Sequence, residues 1–106
     1  MNATEKIVLE RFKELVLKRV PLYKMILFGS RARDTAEPHS DMDVIVILED
    51  CADDQAEDHV SHCAWEAGFE HGIVVVPVTF KRKQWEKGPE RHSLLFQAVQ
   101  AEGIIV

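Results

Sequence analysis

Two short groups of chemistry-bearing residues are separated by ten residues: Gly29-Ser30, and then Asp41-Met42-Asp43. The first group follows the apolar run Met25-Ile26-Leu27-Phe28, which reads as a strand, and is followed by Arg31-Ala32-Arg33. A Gly-Ser where a strand turns into a helix lets the backbone approach a phosphate closely. Free N–H groups, the Ser30 hydroxyl and the helix dipole then all favour an anion, and Arg31 or Arg33 is placed to meet it. The second group opens the run Val44-Ile45-Val46-Ile47-Leu48. On a strand, Asp41 and Asp43 lie two apart and share a face. Paired carboxylates of this kind hold Mg²⁺ or Mn²⁺ against a triphosphate. Read instead as ordinary turn and capping residues, the two groups would leave their joint spacing unexplained.

The order Gly-Ser, ten residues, Asp-x-Asp resembles the DNA polymerase β-type nucleotidyltransferase superfamily, in particular its minimal nucleotidyltransferases. Gly29, Ser30, Asp41 and Asp43 match position by position, and Ser40-Asp41 repeats the family's Ser-Asp. Asp34 departs from the glycine common at that point, a change that Asp's tolerance of left-handed backbone absorbs. The resemblance is sharp over residues 25–48 and compatible elsewhere. It implies transfer of a nucleoside monophosphate, AMP foremost, from a triphosphate (ATP) to an acceptor. Gly29, Ser30, Arg31, Arg33 and Ser40 would bind the nucleotide phosphates; Asp41 and Asp43 would be the catalytic, metal-holding pair. Stand-alone minimal members are often antitoxins beside a HEPN-domain toxin, so the resemblance also implies a HEPN-type partner and a hetero-oligomer. Active relatives usually carry a third carboxylate on the next strand. Residues 73–80 contain no Asp or Glu, and the missing group falls near Val76. The alternative reading is therefore a catalytically weak or inactive nucleotide-binding antitoxin module that acts by binding its partner.

Composition bounds these readings. A chain of 106 residues suits a single domain over 1–106, with one core of its own. No apolar stretch reaches membrane-spanning length, and no signal pattern opens the chain. Cys51 and Cys63, without a Cys-x-x-Cys, fit reduced thiols in the cytoplasm. A net charge of −5 argues against sequence-independent binding to long nucleic acid, which depends on many cationic contacts.

The elements that must position the site alternate along the chain. Asn2 and Glu5 form a capping-box pattern ahead of Ile7, Val8, Phe12, Leu15 and Val16, and Pro21 stops that helix. Strands are expected at about 23–28, 42–48 and 73–80, with Pro77 marking an edge or bulge. Helices are expected from Ser30, over 53–67 ending at Gly68, near 81–86, and near 91–102 closed by Gly103. The fold class is α+β: a small mixed sheet with helices packed mainly on one side, the polymerase β-type nucleotidyltransferase fold that the resemblance implies.

Other residues invite weighing. His59, His62, Cys63 and His71 could form a zinc site, but Cys63 faces the core and no fourth ligand has a familiar spacing. His39 reads as a loop histidine. Lys81, Arg82, Lys83, Lys87 and Arg91 read as a solvated basic face, and Trp65 and Trp85 as packing residues. The apolar end Ile104-Ile105-Val106 either adds a short strand or joins a partner interface.

Overall fold

In a computed structural model, residues 2–29, 41–88 and 93–106 are described. Helix α1 runs Ala3–Leu17, and its start is the expected capping box: the Asn2 side chain accepts from the Glu5 N–H at 2.8 Å, and Glu5 accepts in return from the Asn2 N–H. Its buried stripe is Val8, Leu9, Phe12, Leu15 and Val16, whereas Ile7 faces solvent. The period of 3.6 puts Leu9, not Ile7, on the side of Phe12 and Val16.

Strands β1 (Leu22–Phe28) and β2 (Met42–Leu48) pair antiparallel, and β2 pairs parallel with β3 (Val75–Lys81). The expected short strand at the chain's end is β4 (Ile104–Ile105), antiparallel to β1, so the sheet order is β3-β2-β1-β4. Lys13 reinforces this end, its ammonium donating to the Val106 carbonyl at 2.9 Å. Pro77 sits in the β3 ladder without breaking it, because β3 is an edge strand.

Alternation along β2 divides the core into two. Met42, Val44, Val46 and Leu48 meet α1 and α2 (Ala56–Phe69), while Ile45 and Ile47 meet the opposite layer. That second layer is α3 (Arg82–Lys87) and α4 (Leu94–Glu102), with Trp85 and Val99 as its buried residues. The two long helices thus share one face, as expected, and the two short ones close the other. A β2 buried on both faces explains its continuous apolar run.

Three local readings are corrected. Helix α2 begins at Ala56 rather than 53, since Asp53 folds back to accept from the Gln55 N–H at 3.0 Å. It passes through Gly68 and ends at Phe69; the left-handed residue after it is Gly72, at φ +65°. Gly68 is instead a close-approach site, where a Cβ would lie 2.0 Å from the Ile73 carbonyl oxygen. Trp65 is no packing residue: it is 61% exposed, while Trp85 is buried between Phe80 and Phe96. The helix expected from Ser30 lies outside the described residues.

Candidate functional site

Gly29 leaves β1 at φ +78°, a conformation that side chains bearing a Cβ rarely adopt. A Cβ at this position would stand 2.9 Å from Oδ2 of Asp43. The glycine therefore turns the chain and also leaves room for that carboxylate. Residues 29 and 43, fourteen apart in sequence, come together because Phe28 and Asp43 are partners in the β1–β2 ladder. On the other side of β2, the partner of Asp43 is Val76. Paired residues point to the same face, so the strand position beside the Asp43 carboxylate carries an isopropyl group. The gap noted in residues 73–80 thus stands directly next to Asp43.

Asp41 precedes β2 and is exposed. The adjacent Met42 N–H donates to the Val74 carbonyl at 2.8 Å, which ties this entry segment to β3. Asp43 is half-buried at the open end of the face closed farther along by α3 and α4. Burial raises the pKa of its carboxyl, and the negative charge of Asp41 raises it further. A partly desolvated carboxylate held beside a second negative charge gains from a cation between them.

Among the described residues no group of three or more His, Cys, Asp and Glu could hold a metal ion. His59, His62 and His71 accordingly form no such cluster, and His62 instead stacks on Trp65 at 6.4 Å. The pair Asp41 and Asp43 fits Mg²⁺ nonetheless, because that ion is commonly held by one or two carboxylates with substrate phosphates and water. Of the other expected site residues, Ser30, Arg31, Arg33 and Ser40 lie outside the described residues, as do His39 and Arg91.

The basic stretch after β3 is engaged locally. Arg82 reaches Glu49 and Glu86, each at 3.4 Å, and lies over the Tyr23 ring at 4.1 Å. The Lys83 N–H donates to Asp50 at 3.0 Å. The sequence alone does not mark Phe28 as the neighbour of Asp43; its signal is pairing register, which a strand run does not disclose.

The nucleotidyltransferase domain family model matches residues 7–98. No curated protein sequence matches the chain significantly. Among solved structures, a toxin–antitoxin crystal structure with AMP-PNP is similar at 23% identity and TM-score 0.62, covering 91% of this chain and 69% of that one. A mutant of the toxin–antitoxin MntA-HpeT is similar at 20% identity and TM-score 0.61, covering 99% and 72%. At these identities the likeness establishes a shared fold. The family match extends over most of the chain and takes in both the turn at Gly29 and the Asp41–Asp43 pair: the chain belongs to the nucleotidyltransferase domain family.

Proposed function

We propose that the 1–106 domain binds a nucleoside triphosphate with Mg²⁺ or Mn²⁺ and transfers AMP from ATP to a partner protein of toxin–antitoxin type. The observation that carries this reading is the Asp43 carboxylate seated against the Gly29 turn, with Asp41 close enough to raise its pKa. A phosphate-approach turn and a metal-ready carboxylate pair thereby occupy one end of the two central strands. Ser30, Arg31, Arg33 and Ser40 are assigned to the phosphates by sequence.

In the reaction, an acceptor hydroxyl forms a bond to the α-phosphorus, the α–β anhydride bond breaks, and pyrophosphate leaves. The acceptor's proton passes to a base. A bound divalent cation would offset the charge of the phosphates and of the leaving group. Asp41 and Asp43 would hold that cation, Gly29 would admit the phosphate chain, and Arg31 or Arg33 would offset remaining charge. The fold likeness to toxin–antitoxin structures, one with a nucleotide analogue, supports the partner and nucleotide classes. The other neighbour is a mutant in which two aspartates two positions apart are glutamates, the same spacing as Asp41 and Asp43. A HEPN-type toxin, hetero-oligomeric assembly and the cytoplasm complete the proposal; the last fits Cys51 and Cys63, which are both free thiols.

A second reading is favoured by one observation. Val76 occupies the place beside Asp43 where a further carboxylate could serve as base or ligand. The domain could then act by nucleotide-dependent binding with little turnover. Incorporation of labelled ATP into the partner separates the two readings. Slow transfer by the wild type, lost in Asp43→Ala and raised on the order of 10²-fold in Val76→Asp, is expected. Fast wild-type transfer that ignores Val76→Asp would contradict the account of Val76. Absence of transfer with intact Mg²⁺-dependent ATP binding would establish the binding module.

A further inference from the structure

Beside the candidate site, on the outer side of α2, lies an apolar surface whose aromatic residues the nucleotide chemistry above does not use. Trp65 and Phe69, one turn apart on α2, stack at 4.9 Å and are 61% and 67% exposed. Val74, just before β3, is 61% exposed. Together with Ile73 and Pro77 these residues line a groove of about 570 Å³ between the C-terminal half of α2 and the edge of the sheet. Two adjacent aromatics left in water over a concave apolar floor mark an interaction site more than a random surface does.

A second, separate hollow lies between α2 and β3 and has a different character. Toward the N-terminus of α2 it is lined by Asp53, Asp54 and Glu57, with Thr79 and Lys81 on the strand side. Helical spacing places Glu57 and Asp58 on the same side of α2 as Ser61, Trp65 and Phe69. The outer side of α2 is therefore apolar toward its C-terminus and acidic toward its N-terminus.

We propose that this groove and the outer side of α2 together dock an amphipathic, cationic helix of a different protein. Its large apolar side chains would sit on Trp65 and Phe69, and its Lys or Arg residues would meet Glu57 and Asp58. Strand addition suits the groove poorly. The bond from the Met42 N–H to the Val74 carbonyl sets the alternation of β3, so residues 74, 76 and 78 turn their backbone groups to β2. Pro77 then falls on the free edge, where it offers no N–H to an incoming strand. A helix in a groove needs no such donors. A second copy of this chain fits no better. Its basic helix α3 already spends its tryptophan, Trp85, in its own core. The exposed apolar residues of α1, Ile7 and Leu17, are ten apart rather than on adjacent turns.

The probe is a displayed library of helix-constrained peptides selected against the whole chain. Enriched sequences should carry two large apolar residues three or four apart with Lys or Arg toward one end. A selected peptide should shift the emission of exposed Trp65 to the blue. Its affinity should fall at least about tenfold in Phe69→Ser and severalfold in Glu57→Gln, with a weaker salt dependence in the latter. Asp43→Ala should leave it unchanged, which separates this site from the nucleotide site. Failure to enrich any helix, enrichment of acidic or extended peptides, or binding indifferent to Phe69→Ser would each overturn the proposal. So would a dimer in sedimentation velocity that Phe69→Ser dissolves, since a second copy would then be the occupant.

Discussion

At Asp43, burial and the charge of Asp41 both raise the carboxyl pKa above its ordinary 3.8. The folded protein thus binds more protons than the unfolded chain between that value and the raised one, so stability falls as pH rises through this window. The cost is complete above the raised pKa and vanishes below the unfolded one. Asp43→Asn should therefore raise the Tm of the metal-free protein at neutral pH, with the gain shrinking to nothing in acid below 3.8. Thermal melts of both proteins across pH 3–8 check this. The same substitution should abolish the Mg²⁺-dependent part of ATP binding in calorimetry. Greater stability with less ligand binding is the trade expected where like charges are held together for a cation.

Among the elements, the α2–β3 connection depends on contact at Gly68. The chain must leave α2, turn at Gly72 and bring Ile73 back against the helix before β3 can start. The Ile73 N–H donates to the Gly68 carbonyl at 3.1 Å, and the Ile73 carbonyl lies where a Gly68 side chain would be. Gly68→Ala should destabilise the fold by about 1–3 kcal/mol, because the obstacle is backbone and the helix is already packed. Urea unfolding measures this. The effect should reach the site in part, since the Val74 carbonyl beyond this turn receives the Met42 N–H between the two aspartates.

Across the whole molecule, a four-stranded sheet is covered on both faces, yet unequally. The α1–α2 side holds most of the buried residues, and the other side relies on a cluster around Trp85. Trp85 is only 4% exposed and contacts Phe80 and Phe96 at ring distances of 5.2 and 4.7 Å. Trp85→Ala should cost about 3–5 kcal/mol, read from the shift in urea midpoint. Because Asp43 lies on the same sheet face, near-UV circular dichroism and Mg–ATP affinity should be tested on the folded variant. A loss confined to stability would show that the site end of β2 is held independently by the ladders at Phe28 and Val76.

Local chemistry made much of this protein legible in its sequence. The Asn2–Glu5 cap, the strand runs around Ile26 and Val46, and the Gly-Ser/Asp-x-Asp spacing act over a few residues, so side-chain type and periodicity were enough to find them. The α+β class and the family followed from those signals. Period alone does not tell which apolar residue lacks a covering neighbour, so it cannot separate exposed Trp65 and Ile7 from the core. Composition cannot separate a left-handed turn from a close approach, which is why Gly68 reads as a helix stop although the left-handed residue is Gly72. Strand register, which sets Asp43 between Phe28 and Val76 and against Gly29, is a relation between distant segments. Only the tertiary structure could decide it, since shifting one ladder by a residue would turn the carboxylate to the opposite face of the sheet.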